Sequence, residues 1–458
     1  MTEKSFEYAL RRGLGSAIIE LKRNDNREQY RDALLRCCLR DIAYDTQVEG
    51  TKGYYLYAAI KTFGEPKMFL DKMAEKFEKR LYWRLSEQLC NTLICFSDDG
   101  YRTANEALEK KYNELKTRLP KMRDFRLDFC ERELLEKLMI RKLDSGFKGF
   151  KQCINDINEM IIRCGNNDCL WCDWLFEEAK DKFGEKRVKD YIDKMYEKSD
   201  AIKILIDSVK ADEESREQHR AKIEQEKITV NILKNAAKEA AFAENSRGAI
   251  MRYRNRFMKN ASEAEILELA NAVLHEKDET AKGLLLRLFW QSPVQMKTSP
   301  RPFPLEITPL LQYVQSDNEF LIEAAVHILE EVKDERIHNI AIMLLKAKGI
   351  DSLALALLKK NYEKSDDEII CAAIKKSTKI QQHIQSDIND IYLNHRSANA
   401  LPALLKVYQK GECSHCRYNT IKAMKHCGVL PDEILEECLY DSYEDTRKYA
   451  KRLLSRRR

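Results

Sequence analysis

The sequence has little of the two residues that interrupt helices. Its 458 residues include only 15 Gly and 9 Pro, whereas average usage of the two together is about 12%. Gly and Pro punctuate turns and break helices. No stretch alternates apolar and polar residues for long enough to form a half-buried strand. We therefore predict an all-α fold with long helices and short connections.

Long apolar runs and an excess of one charge are also missing. The longest apolar runs, such as 353–358, are far too short to span a bilayer. The chain has 80 basic and 75 acidic residues, which leave a net charge of only +5. This mixture suits the solvated faces of amphipathic helices and gives no global attraction to nucleic acid or membrane. Because the N-terminus lacks a signal-peptide core as well, we expect a cytoplasmic protein with no membrane partner.

The catalytic motifs that a sequence can reveal are missing too. There is no His-Glu-x-x-His pair, no phosphate-binding Gly-Lys-Ser/Thr loop and no nucleophile elbow. The 14 cysteines lie mostly in helical patterns, where thiols pack as small hydrophobic groups. Disulfide frameworks belong to small secreted domains, so we expect reduced thiols. These features predict a protein that is not an enzyme.

A helical pattern recurs about every 40 residues in the C-terminal half. It occurs in three segments: Leu274–Phe289, Val314–Leu329 and Leu439–Leu454. Each segment ends one helix, turns through Asp, Ser or Asn, and places Glu279, Glu319 or Glu444 early in a second helix. A period of this size is typical of stacked helix pairs, in which each unit buries its apolar stripe against its neighbours.

The pattern resembles the HEAT-repeat branch of the armadillo-like α-solenoids. The resemblance rests on the helix-pair period, on the Asp or Asn at the turn, and on early polar residues of the second helix such as Arg447. It implies an α-α superhelix that serves as a scaffold for proteins or, in some members, grips nucleic acid. A subset of such solenoids resembles alkyl-base DNA glycosylases.

The composition divides the chain into three parts. We predict an N-terminal helical domain at 1–208, a charged linker or solvated helix at 209–227, and a C-terminal array of HEAT-like repeats at 228–458. The middle part has almost no apolar residues, so it cannot bury a face. The segment 291–309 holds five of the nine prolines, which predicts an extended connection. A loop of that length within an array is a candidate binding or packing insertion.

A basic helix is the best nucleic-acid feature of the sequence. Arg252, Arg256 and Lys259 fall on one helical face, with Arg247 nearby. Guanidinium groups suit phosphate oxygens. The alternative is a basic outer face whose aromatic neighbours pack inward.

Three cysteines form the best candidate for a metal site. Cys164, Cys169 and Cys172 have the Cys-x4-Cys-x2-Cys spacing, and two cysteines three apart can reach one tetrahedral Zn²⁺. The alternative is a set of thiols buried around a helix start. A second pair, Cys413 and Cys416, has the same two interpretations. No other cofactor is expected.

A glycosylase of the solenoid type would need a Trp and a carboxylate that face a groove. Trp290 with Asp278 or Glu279 is the pair that the sequence offers, although the same positions fit a helix end and a turn.

The leading hypothesis is a non-catalytic α-solenoid scaffold whose partner is another protein. The alternatives are a nucleic-acid-binding solenoid that uses the helix at 247–259 and, third, the glycosylase.

Overall fold

The computed structural model of the chain describes residues 1–119, 125–164, 173–225, 227–242, 246–290, 301–349, 351–375 and 379–456. Throughout these ranges the regular structure is helical, and extended pairing is limited to one isolated bridge between Ile380 and Gly411. The predicted all-α fold is confirmed. None of the helices in these ranges is long and apolar enough to cross a membrane.

The chain divides into two compact units. Unit 1 comprises 1–218 together with 433–458, and unit 2 comprises 219–432. The charged segment 209–227 is helical as far as Gln225. The last helix pair, which the sequence pattern groups with the C-terminal array, belongs to unit 1.

Within the described residues, unit 1 is built from helices of different lengths. They are α1 (Glu3–Arg12), α2 (Gly15–Arg23), α3 (Arg31–Cys38), α4 (Thr46–Glu49), α5 (Gly53–Phe63), α6 (Pro66–Phe77), α7 (Trp83–Asp98), α8 (Arg102–Arg118), α9 (Phe125–Lys142), α10 (Phe147–Cys164), α11 (Asp173–Phe183), α12 (Glu185–Lys198) and α13 (Asp200–Gln225), which runs past the boundary of the unit.

The sequence predicts single helices at 5–22 and 185–206, and the structure divides each of them in two. The first breaks at Gly13, whose φ of 69° is left-handed and whose backbone carbonyl accepts a hydrogen bond from the Ser442 amide at 2.9 Å. A β-carbon at Gly13 would collide with the Ser442 side chain. The second breaks at Ser199, whose hydroxyl accepts from the Ile202 amide at 3.3 Å and so caps α13. A contact with a residue distant in sequence accompanies the first break, and a local helix cap accompanies the second.

Unit 2 contains twelve α-helices within the described ranges. They are α14 (Val230–Ala241), α15 (Ser246–Asn260), α16 (Glu263–His275), α17 (Glu279–Leu286), α18 (Thr308–Tyr313), α19 (Glu319–Leu329), α20 (Glu335–Lys348), α21 (Ser352–Asn361), α22 (Asp366–Lys375), α23 (Gln382–Asn394), α24 (Leu401–Lys410) and α25 (Ser414–Cys427). Two further helices, α26 (Asp432–Glu437) and α27 (Glu444–Ser455), complete unit 1.

The turn residues of the repeat start its second helices. The Asp278 carboxylate accepts from the Ala281 amide at 2.7 Å, and the Asn318 side chain accepts from the Leu321 amide at 3.2 Å. Such caps satisfy amide groups that have no partner within the helix. Glu279 and Glu319 are the first residues of α17 and α19, as the repeat predicts.

Second helices of successive pairs pack on one another in unit 2. Contacts join α17 to α19, α19 to α21, α21 to α23, and α23 to α25. At the first of these contacts Gly283 lies against the backbone of Phe320 and Leu321, where a β-carbon would approach within 3 Å. The first helices of successive pairs also contact one another: α20 contacts α22, and α22 contacts α24. This layering is that of an α-helical solenoid.

Candidate functional site

A cleft of about 530 Å³ opens in unit 2 along one face of three successive second helices. From α19 and its C-cap residue, the polar lining residues are Glu323, His327 and Glu330, at positions i, i+4 and i+7. That spacing places the three side chains on one face of the helix, while the apolar residues between them pack mostly into the core. We call this site the acidic cleft. Its other polar lining residues are Glu331, Ser352, Lys359, Lys360, His383, Asp387, Asp390 and Asn394.

Lys359 of α21 joins all three helices of the acidic cleft. Its Nζ lies 3.0 Å from Oε2 of Glu330, the C-cap residue of α19. It also lies 3.1 Å from Asp387 Oδ1 and 3.9 Å from Asp390 Oδ2 on α23. Burial alone would lower the pKa of Lys359, but the carboxylates outweigh it and raise that pKa above its ordinary value. Lys359 is therefore charged at neutral pH and ties the three helices together.

The carboxylates around Lys359 are crowded. Burial raises the pKa of Asp387 more than Lys359 lowers it. Burial also raises the pKa of Asp390, and repulsion from Asp387 and Glu330 adds to the rise. Burial raises the pKa of Glu330, but the hydrogen bonds that its carboxylate accepts from His327 and Lys359 outweigh burial and lower that pKa. Three carboxylates thus share one lysine, and a further cation would relieve their repulsion.

One end of the acidic cleft is an aromatic stack. The Trp290 indole lies on the His327 imidazole with ring centroids 4.5 Å apart, and the Arg287 guanidinium carbon lies 4.9 Å from the indole centre. His327 Nδ1 is 3.1 Å from Glu330 Oε1, and its Nε2 is 3.9 Å from Glu323. Burial lowers the pKa of His327, but the hydrogen bonds to the two glutamates outweigh burial and raise it.

The charges that line the acidic cleft do not balance. Five carboxylates face two lysines among its lining residues. Arg287, which lies 3.3 Å from Glu323, supplies one further positive charge nearby, and His327 supplies another when it is protonated. A surplus of negative charge remains, and it attracts cations and repels phosphate.

An apolar pocket of about 260 Å³ adjoins the acidic cleft. Its apolar lining residues are Phe289, Pro302, Phe303, Ile307, Ile328 and Val332. The Phe289 and Phe303 rings meet edge to face, with centroids 5.2 Å apart. Pocket and cleft share the side chains of His327, Glu331 and Lys360. The described end of the proline-rich segment therefore forms a wall of this pocket.

The basic helix of the sequence prediction is α15. Lys259 is exposed, and the Arg256 guanidinium lies 5.6 Å from the centre of the Tyr253 ring. Phe257 and Met258 are buried, as the packing interpretation predicts. The side chains of Arg247 and Arg252 lie outside the described part of the chain, so the four-residue phosphate site stays a prediction.

Arg254, a fifth basic residue of α15, has a structural role. Arg254 is 2% exposed, and its Nε donates to the Leu288 carbonyl at 3.0 Å. A second nitrogen donates to the carbonyl of Trp290. Arg254 therefore closes the end of the helical turn that carries Trp290, and its guanidinium faces main-chain carbonyls.

The proposed zinc ligands are only partly described. Cys164 is the last residue of α10, whereas Cys169 and Cys172 lie outside the described residues. Cys153, another cysteine of α10, is buried, and its Sγ donates to the Met139 carbonyl at 3.4 Å. No group of three or more His, Cys, Asp or Glu side chains in the described ranges is placed to hold a metal ion. The hypothesis for this cysteine cluster stays a prediction.

The second cysteine pair caps a helix. Cys413 Sγ accepts a hydrogen bond from the Cys416 amide at 3.5 Å, at the start of α25. Cys427 lies at the far end of this 14-residue helix, about 20 Å away at 1.5 Å per residue. Both members of the pair are buried. These thiols serve packing and capping, the alternative that the sequence favours.

The pair suggested for a glycosylase is not brought together. Asp278 caps the start of α17, and Glu279 accepts from the Ser316 hydroxyl at 3.0 Å. Trp290 follows the other end of the same helix. Its neighbours in the cleft are Glu323 and His327 instead. Asp278 and Glu279 are thus not among the residues that line the cleft beside Trp290.

The acidic cleft itself was missed by sequence reasoning. One signal was available: α21 is apolar from Leu353 to Leu358 and then ends in two lysines. Glu330 directly follows α19, and Asp387 lies within α23. Polar residues that recur on one face of otherwise apolar second helices are the pattern that would have indicated a shared groove.

The fold and the cleft define an all-α helical-repeat protein with an acidic groove. Comparison with models of protein families, with curated proteins and with solved structures found no match.

Proposed function

We propose that the chain is a non-catalytic scaffold of the HEAT-repeat type, which holds a segment of another protein in the acidic cleft. The observation that carries this proposal is the cleft itself, an open groove along three successive second helices with polar side chains on its floor. Solenoids use such extended surfaces to bind partners. The proposal requires no cofactor or metal, and it places the protein in the cytoplasm.

The ion pairs of the acidic cleft support its use as a binding surface. Lys359 is held by Glu330 and Asp387, and His327 lies between Glu330 and Glu323. These pairings fix the positions of the helices that line the cleft, as a preorganised binding surface requires.

Nucleic-acid binding is the second candidate function, and α15 is the element that favours it. Arg256 and Lys259 are one turn apart on that helix, and Lys259 is exposed. The acidic cleft does not suit this role, since its negative surplus repels phosphate. A glycosylase would also bring DNA phosphates to the cleft beside Trp290, so the same repulsion weighs against it.

The test is purification of the tagged full-length chain from its native host, with and without nuclease. We expect a stoichiometric protein partner that survives nuclease treatment. Charge reversal in the cleft by Asp390→Lys and Glu331→Lys should remove this partner. The matched control is Glu268→Lys on the exposed face of α16, which should retain it.

Two results would overturn the proposal. Nucleic acid that elutes without protein and is released by higher salt would favour α15. A protein partner bound equally by the cleft variants and by Glu268→Lys would place the interaction elsewhere on the chain.

A further inference from the structure

The apolar pocket and the acidic cleft form one continuous surface. His327, Glu331 and Lys360 line both. One occupant can therefore fill the pocket and reach the carboxylates at the same time. The two parts differ in chemistry, so the occupant must carry two kinds of group side by side.

The volume and lining of the apolar pocket favour a large apolar side chain in the occupant. Its volume of about 260 Å³ exceeds the roughly 150 Å³ of a cavity that accepts benzene. The rings of Phe289 and Phe303 meet edge to face and form walls of the pocket. Ile328, which also lines the pocket, is 6% exposed. A branched aliphatic or aromatic side chain fills such a space, and its burial is worth about 1.5–3 kcal/mol.

The exposed carboxylates of the acidic cleft favour a positively charged group in the occupant. Asp390 has a side chain that is 44% exposed, and its lysine contact is the long one, 3.9 Å from Lys359. Glu331 is 43% exposed beside the pocket and pairs with Lys360. Both carboxylates can accept hydrogen bonds from an incoming ammonium or guanidinium group without displacing Lys359 from Glu330.

We infer that the partner segment bound in this groove carries a bulky apolar residue next to a lysine or arginine. The apolar side chain enters the pocket beside Phe303, and the basic side chain meets Glu331 and then Asp390. This inference rests on the proposed function, because it names the chemistry of the segment that the scaffold holds. An acidic or phosphorylated segment is repelled by the carboxylates, and a wholly apolar one leaves their charge unneutralised.

The test is selection of random nonapeptides, displayed on phage, against the full-length protein. We expect enrichment of peptides in which Leu, Ile, Met, Phe or Trp lies within two positions of Lys or Arg. Asp390→Lys should weaken the binding of the enriched peptides about tenfold, the loss that corresponds to 1.4 kcal/mol. Val332→Trp, which fills the pocket, should weaken it to a similar degree.

Two controls separate specific effects from general ones. Glu268→Lys reverses a charge on an exposed face, and Val209→Trp adds the same bulk at an exposed site of α13. Both should bind the selected peptides as the wild type does. Circular dichroism of each variant checks that its helix content is unchanged.

The outcomes distinguish the inference from the proposed function. Failure to enrich any peptide, or enrichment of acidic peptides, overturns the inference. Basic peptides that bind Val332→Trp normally overturn the part played by the pocket. If the partner purified from the host is lost from Asp390→Lys yet its bound segment lacks the apolar–basic pair, the proposed function stands and the inference fails.

Discussion

The indole ring of Trp290 stacks on the imidazole of His327, with ring centroids 4.5 Å apart and ring planes inclined by 23°. Trp290 follows α17 and His327 belongs to α19, so the stack joins two successive second helices at the end of the acidic cleft. The same imidazole is held between Glu323 and Glu330. The position of the Trp290 side chain therefore depends on the charges of the cleft.

Loss of the stack should lower stability. Trp290→Ala removes a half-buried ring and should cost about 2 kcal/mol of unfolding free energy. Trp290→Phe keeps an aromatic ring over His327 and should recover most of that loss. Urea unfolding followed by circular dichroism measures both variants. Equal stability of the two variants would show that the ring contact contributes nothing.

The pKa of His327 should lie above its ordinary value, which is about 6.5. Burial lowers this pKa, but the hydrogen bonds that the imidazole donates to Glu323 and Glu330 outweigh burial. The protonated imidazole therefore stabilises the fold fully below that ordinary value, and the stabilisation is lost as pH rises through the raised folded-state pKa. NMR titration of the chain with labelled histidine measures this pKa directly.

The glutamates that raise this pKa can be separated by substitution. Glu330→Gln should lower the pKa of His327, because it removes a carboxylate 3.1 Å from Nδ1. Glu331→Gln is the matched control, since the Glu331 carboxylate pairs with Lys360. A titration that shifts equally in both variants would contradict the assigned contact.

Removal of the central lysine should destabilise unit 2. Lys359→Met leaves Glu330, Asp387 and Asp390 without their shared cation and should cost about 2–3 kcal/mol at neutral pH. Because burial raises the pKa of Asp387 and Asp390, their protonation relieves the repulsion as pH falls. The deficit should thus be smaller near pH 5 than near pH 7.

Lys360→Met provides the comparison within the same helix. Lys360 is 48% exposed and pairs with Glu331 at 2.6 Å. Ion pairs between exposed side chains contribute about 0–1 kcal/mol to the free energy of unfolding. Thermal unfolding at both pH values measures the two variants. Equal losses for Lys359→Met and Lys360→Met would contradict the central role of Lys359.

Close packing of successive second helices predicts the effect of a single methyl group. Gly283→Ala gains helix propensity of about 1 kcal/mol, but its β-carbon meets the backbone of Phe320 and Leu321. Overpacking costs about 1–3 kcal/mol, so we expect net destabilisation in urea unfolding. Lys282→Ala, one residue earlier, should change stability far less. A stabilised Gly283→Ala protein would mean that α17 and α19 are not in close contact.

Local signals in the sequence predicted the helical fold well. Asp278 and Asn318 start second helices because their side chains cap exposed amides, and this chemistry can be read from residue type and position. The break at Gly13 was missed because it depends on Ser442, which is distant in sequence. The grouping of 433–458 with the N-terminal helices was missed for the same reason.

The candidate site was harder to predict than the fold. Its centre combines Glu330, Lys359 and Asp387, and the first two lie 29 positions apart on different helices. Each residue alone has the pattern of a solvated charge on an amphipathic helix. Only the stacking of α19, α21 and α23 makes them neighbours, and a single sequence does not fix which faces of successive helices meet.

Hydrogen exchange of the full-length chain, alone and with the partner purified from its host, tests the scaffold account most directly. We predict slower exchange in α19, α21 and α23, which line the acidic cleft, with no change in α15. Asp390→Lys should abolish this protection, whereas Glu268→Lys should preserve it. Protection confined to α15 or to unit 1, or no protection anywhere, would contradict the account.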